Sequence, residues 1–158
     1  MKITHFAEIA DEFLTSVHSQ VWCNVTTIDA HNRPRSRVLH PIWENSADNS
    51  TTIGWVATGR TSLKAKHLAQ HSYVSVVYMK DPMKPVYIEC DTAWVDDMAE
   101  KRRIWSLLKD TPPPLGYDPT PFFGSVESPG YGLLKLLPWR VELADLFGTA
   151  RVWENDMT

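Results

Sequence analysis

The 158-residue sequence predicts a mainly β protein, an antiparallel sheet closed or nearly closed into a barrel with flanking helices. Three observations lead there. Strand-like segments outnumber helical ones, and most follow one another through short turns rather than through the crossover helices that parallel strands need. The length suits a single domain, residues 1–158, with a real core. Closing the sheet would also remove exposed strand edges.

Ile3, Phe6, Ile9, Ala10, Phe13, Leu14 and Val17 recur at helical spacing, so the opening segment is expected to be a helix with one apolar stripe. The period then changes to two. Residues 20–28 read as a strand, Asp29 to Pro34 as a turn rich in Asp, Asn and Pro, and residues 35–44 as a second strand, which together make a hairpin. A polar turn over 45–50 leads to a strand at 51–58, a helix at 61–71, and strands at 73–79 and 85–95. Residues 96–109 return to helical spacing, with Asp96 and Asp97 placed to cap the N-terminus. Prolines and glycines crowd residues 110–132, which predicts a long loop that packs through Leu115, Tyr117, Phe122 and Phe123. Strands at 131–143 and 149–153 rejoin the sheet, and no internal repeat is present.

Net charge is −3 with acids and bases intermixed, which offers no basic field for nucleic acid and no polybasic segment for lipid. No apolar run approaches bilayer length, and acids interrupt the opening MKITHFAEIADEF where a secretion signal would be apolar. A cytoplasmic protein with neither a membrane nor a nucleic-acid partner is expected. Cys23 and Cys90 each lie in strand-like text rather than in a C-x-x-C unit, so buried thiols are expected, not a disulfide or a zinc site. The seven tryptophans are read as anchors of a core or an interface.

Residues 53–71, IGWVATGRTSLKAKHLAQH, run from an apolar strand through a turn bearing Thr58, Arg60, Thr61, Ser62 and Lys64 into a helix. Unpaired N–H groups at a helix start, with hydroxyls and cations beside them, can seat a phosphate. The plainer alternative is a strand-to-helix junction capped by Thr61. Neither G-x-G-x-x-G nor G-x-x-x-x-G-K-[ST] occurs. In RPRSRVLHPIW, strand alternation puts Arg33, Arg35 and Arg37 on one face with Leu39, and Pro34, Ser36, Val38 and His40 on the other. Arg35 or Arg37 beside the Thr58–Lys64 turn would complete a dianion site, whereas an edge strand with a solvated cationic face is the alternative. Pro41 is expected to end regular pairing there. His67 and His71 sit at i, i+4 but lack a carboxylate neighbour, so a surface position rather than a metal site is expected. No nucleophile elbow or acid–base pair identifies a catalytic residue.

Taken in order, the initial helix, RPRSRVLHPIW, WVATGRTSLKAKHLAQHSYVSVVY and PWRVELADLFG resemble the pyridoxamine 5′-phosphate oxidase-like, FMN-binding split barrels, in particular their general-stress-protein-like branch. The resemblance spans roughly Phe6 to Trp153. Its most specific part is a Thr, a Ser four residues on and a Lys two beyond that, met by Thr58, Ser62 and Lys64. It implies a six-stranded antiparallel split barrel that forms a homodimer, with flavin mononucleotide (FMN) in two clefts between subunits. Carried over by position, Arg37 and Lys64 would hold the phosphate, with Ser62, Arg60 and Arg35 assisting. Val38, Leu39 and His40 would lie along the isoalloxazine edge, Ala57 and Thr58 along the ring or ribityl chain, and Trp139 and Arg140 near the partner subunit's cofactor. The implied activity is flavin-dependent oxidoreduction of a small molecule. An F420-dependent reductase and a non-catalytic flavin-binding, stress-related protein are the alternatives on the same fold. Only Arg151 stands where true pyridoxamine phosphate oxidases carry a basic C-terminal segment, so vitamin B6 oxidation is not expected. Small Ala57 replaces an aromatic ring neighbour and would widen the pocket.

Overall fold

A computed structural model describes residues 1–155. The element order is β1 (Lys2–Ile3), a 3-10 turn at Phe6–Glu8, α1 (Ala10–Gln20), β2 (Cys23–Ile28), β3 (Pro34–Leu39), β4 (Ile42–Asn45), β5 (Thr52–Gly59), α2 (Leu63–Leu68), β6 (Tyr73–Tyr78), β7 (Val86–Val95), α3 (Met98–Asp110), α4 (Thr120–Phe123), β8 (Tyr131–Leu143) and β9 (Arg151–Glu154). The first helix starts later than its apolar stripe suggests. Glu8 Oε1 accepts the Thr4 and His5 backbone N–H groups at 3.1 and 2.9 Å, which closes a separate turn before α1.

Among the described residues the protein is mainly β, but its nine-stranded sheet is mixed and not closed, which corrects the expectation of six antiparallel strands in a barrel. One hydrogen-bonded path runs β1-β9-β8-β7-β6-β2-β3, while β5 pairs with β8 and β4 with β5. Pro41 has no N–H to donate and splits the expected 35–44 strand into β3, paired with β2, and β4, paired with β5. The ladder therefore stops at His40–Pro41. The chain ends add β1 and β9, whose mutual pairing is the parallel one. β8 is long enough to take β5 along Tyr131–Leu136 and β9 along Arg140–Leu143 on one side while β7 follows it on the other.

α1 covers one face through Ala10, Phe13 and Val17, all buried. Phe13 meets Phe6 edge-on at 5.6 Å and Trp43 at 5.3 Å, and the Trp43 indole N–H donates to the Tyr78 hydroxyl at 2.9 Å. A second apolar cluster joins Trp55, Ile104, Leu108, Tyr131 and Leu133 under the long loop, which contributes Leu115, Tyr117 and Phe123. Phe122 reaches Tyr117 at 5.9 Å but stays 72% exposed. Cys23 and Cys90 are free and buried, and burial pushes the Cys23 thiol up to about 12. Asp97 caps α3 by accepting the Glu100 N–H at 2.9 Å, whereas Asp96 instead pairs with Arg60. Among the described residues no helix is long and apolar enough to cross a membrane.

Candidate anion-binding site

β3 is an edge strand, yet its arginines do not all face solvent. Arg37 stands opposite Val25, and Val25 stands opposite Val76 on β6, both buried, so Arg37 shares the sheet face that carries the core. α2 packs against β2 on that side, which leaves Arg37 half-buried and Arg35 exposed. From the other direction, β5 delivers Thr58 opposite Gly132 of β8. A Cβ at Gly132 would come within 2.8 Å of the Thr58 carbonyl and 2.7 Å of the Trp94 ring, so only glycine lets β8 pass this close to the site.

The chain turns after Gly59, Ser62 takes the N-cap position in place of the expected Thr61, and α2 begins at Leu63. Lys64 bends back so that its ammonium donates to the buried Thr58 hydroxyl and, at 3.1 Å, to the Ser62 hydroxyl. Burial and the facing Arg37 depress the Lys64 pKa. Burial and the neighbouring Arg35 do the same to Arg37. Every other arginine has a carboxylate in reach: Arg33 and Arg35 share Asp29, Arg60 has Asp96, Arg102 has Glu127, Arg103 has Glu44 and Glu100, Arg140 has Glu89, Glu142 and Glu154, and Arg151 has Glu12. Among the described residues Arg37 is the exception, and Lys64 beside it also lacks an acid. Two partly buried, mutually repelling cations, held by hydroxyls, form a seat whose charge balance calls for a dianion.

Two neighbours complete this seat that sequence reasoning missed. An Arg37 N–H donates to the Thr27 hydroxyl at 2.8 Å, and the same oxygen lies 2.8 Å from His67 Nδ1. His67 is 5% exposed, so the expectation of a surface histidine is corrected: α2 lies with this residue against β2, where Thr27 supplies a polar partner. The available signal was alternation, since Thr27 follows the buried Cys23 and Val25 on the inward face of β2.

The remaining expected site residues are placed as follows. Arg60 lies over the Trp94 ring at 4.4 Å, turned toward Asp96. Val38 is 65% exposed on the outward face, Leu39 packs against the main core, and Ala57 packs against the second cluster. The His40 ring lies between Trp22 at 4.6 Å and Tyr117 at 5.0 Å, with Nε2 donating to the Leu115 carbonyl at 2.6 Å. Trp139 is 40% exposed, while the adjacent Arg140 guanidinium is held by its three glutamates.

Burial lowers the pKa of His18, His40 and His67 below the usual 6.5, and Arg37 adds to the effect at His67. Above about pH 6.5 all three are neutral whether folded or unfolded. Below it the unfolded chain takes up protons that the folded chain resists, so stability falls with pH until each folded pKa is passed. The melting temperature is therefore expected to drop between pH 7.5 and pH 5.5, above the range where carboxylates titrate, and a flat or rising profile would contradict these burials.

Similar architecture occurs in several solved structures. A protein from Clostridium acetobutylicum related to general stress protein 26 of B. subtilis, described as of the pyridoxinephosphate oxidase family, superposes with TM-score 0.70 at 14% identity, covering 95% of this chain and 96% of the other. General stress protein 26 from Bacillus anthracis gives 0.61 at 19% identity, covering 85% and 92%. A pyridoxamine 5′-phosphate oxidase-related, FMN-binding protein from Nostoc punctiforme gives 0.60 at 18% identity, covering 89% and 82%. No family model matches the sequence, and no curated protein does. At these identities the likeness concerns architecture: the chain has the fold of the pyridoxamine 5′-phosphate oxidase-like, general-stress-protein-26-like split barrels.

Proposed function

We propose that this protein is a cytoplasmic, homodimeric flavoprotein that binds FMN and acts as an oxidoreductase on a small molecule. The observation that carries the reading is the Arg37–Lys64 pair, which has no carboxylate partner among the described residues, whereas every other arginine has one. The residues fit the group. Arg37 offers a planar donor fork, Lys64 a point charge, and Ser62 and Thr58 hydroxyls at the mouth of the same turn, a donor set suited to a phosphate monoester. β3 pairs with β2 on one side only, so alternate main-chain groups around Val38 and Leu39 stay open for the polar edge of a flavin ring.

When bound, flavin supplies hydride or electron transfer at its ring. The chain's part is to hold and orient. Arg37 and Lys64 fix one end, and their positive charge favours an anionic cofactor. His40, with Nε2 engaged by Leu115 and its ring flanked by Trp22 and Tyr117, serves to hold the β3–β4 junction rather than to exchange protons. Dimerisation is supported by an outward groove of about 310 Å³ lined by Trp22, Val38, Val77 and Met79, with Trp22, Val38 and Met79 each about 60% exposed.

Incubation with FMN and removal of free ligand should leave a yellow protein with a flavin absorption spectrum, at a dimer mass by light scattering. A colourless monomer would refute the proposal. Uptake of F420 with rejection of FMN would move the assignment to a deazaflavin reductase. Bound FMN that no nicotinamide donor reduces would favour a carrier.

A further inference from the structure

Across the Thr27–His67 pair from the Arg37–Lys64 seat lies a separate pocket of about 350 Å³. Neither Arg37 nor Lys64 lines it. Its walls are residues 29–35, which run from the β2–β3 turn into β3, and one face of α2 with the turn after it, which supply Leu63, Lys66, His67 and Gln70. Arg33, Arg35 and Lys66 bring three positive charges against the single carboxylate of Asp29. That carboxylate is already committed. The His31 and Arg33 backbone N–H groups donate to its Oδ1 at 2.8 and 3.0 Å, and Arg33 Nε donates to its Oδ2 at 3.0 Å. Burial alone would raise its pKa, yet these bonds hold it at about 2. Lys66 has no acid among the described residues.

The buried ring at the pocket wall supplies a second observation. The Thr27 hydroxyl oxygen accepts from Arg37, so the assignment that leaves no buried hydrogen unpaired has the Thr27 O–H donating into His67 Nδ1. The imidazole is then neutral and carries its proton on Nε2, a nitrogen with no protein partner among the described residues. His67 is 95% hidden from solvent and lines this cationic pocket, with Nε2 left accessible rather than sealed, which has the form of a built anion contact.

We infer that this pocket is a second oxyanion subsite, distinct from the flavin phosphate seat, in which Arg35, Lys66 and the His67 Nε2–H bind a phosphate group carried by a second small molecule. The ligand class is a phosphate monoester, because two cations and a neutral N–H match its charge and its several acceptor oxygens. The inference rests on the flavin reading only for the word second, and the test separates the two. The charged groups facing His67 are Arg37 and Arg35 from β3 and Asp29 from the turn, with His31, Arg33 and Lys66 around the same pocket.

The experiment titrates inorganic phosphate into FMN-saturated protein while following the imidazole carbon-bound proton signal of His67 by NMR, assigned through its loss in His67→Gln. Phosphate is expected to shift this signal saturably and to raise the pH at which it titrates. Lys66→Ala, an exposed residue outside the flavin seat, is expected to weaken that response about tenfold while leaving FMN affinity unchanged. In the Lys64→Ala protein, which keeps the Arg37–Thr27–His67 contacts, the response to phosphate should persist even though FMN binding is weakened. A signal insensitive to phosphate in both free and FMN-saturated protein would overturn the inference. A response in free protein that FMN abolishes would also overturn it, by showing that the pocket is the flavin phosphate's own seat. If the native protein takes up no FMN, the flavin reading fails, while a phosphate response at His67 would still uphold the pocket as an anion site.

Discussion

Arg37→Ala combined with Lys64→Ala is expected to lower FMN affinity by about a hundred- to ten-thousand-fold, since each charge-assisted hydrogen bond to a phosphate contributes about 1.5–3 kcal/mol. Both side chains are half-buried, so neither contact is fully screened by solvent. Riboflavin, which has the same ring without the phosphate, should change by less than about threefold, because a ring contact would not depend on either cation. The ratio of the two ligands' dissociation constants, measured by fluorescence quenching, isolates the phosphate from general damage. Stability should not fall with affinity. Burial and then Arg37 depress the Lys64 pKa, and burial and then Arg35 depress that of Arg37, so removing both cations relieves a desolvation cost and a repulsion that the fold otherwise holds in place. A double variant that loses riboflavin and FMN equally, or that retains full FMN affinity, would show that the phosphate sits elsewhere.

How much of this site was readable from sequence depends on how far apart its parts lie. Thr58, Ser62 and Lys64 flank one strand-to-helix turn, and a lysine two residues past the N-cap of a short helix can bend back over that turn whatever the rest of the fold does. The common face of Arg33, Arg35 and Arg37 follows from the two-residue period of a strand. Which face turns inward does not, because that is set by pairing to β2 and by α2 closing over it. Thr27 and His67 were missed for the same reason, being forty residues apart in the chain and joined only through this packing. Arg140 shows the reverse. Its three carboxylates come from β7, β8 and β9, so its engagement depends on the register of three strands at once, which no local pattern reports. The strand count departs from expectation at β1 and at Pro41, whose missing N–H is visible in the sequence while its result, transfer of the chain from β2 to β5, is a property of the whole sheet.

Trp43→Ala is expected to reduce unfolding free energy by about 3–5 kcal/mol, the range for removing a large buried aromatic, and urea denaturation read by far-ultraviolet circular dichroism measures it. The upper half of that range is favoured by what surrounds the indole. Trp43 is 2% exposed, lies against Phe13, and covers Gly54 so closely that a Cβ there would stand 2.9 Å from its ring. The void could not fill from the β5 side, where glycine has no side chain to move in. Its indole N–H also satisfies the fully buried Tyr78 hydroxyl, whose pKa burial drives well above 10, so the truncated protein leaves a neutral phenol short of a donor. Trp43→Phe, which keeps a ring but not the N–H, should cost less than half as much if packing dominates. One connection survives both changes: the Trp43 backbone N–H donates to His18 Nε2 at 3.1 Å, so α1 stays tethered to β4. With α1 still docked and the β3–α2 side untouched, FMN affinity measured well below the lowered melting point should remain near native. A parallel loss of FMN affinity would mean that the phosphate seat is positioned through the main core, and not by β3, β5 and the turn into α2.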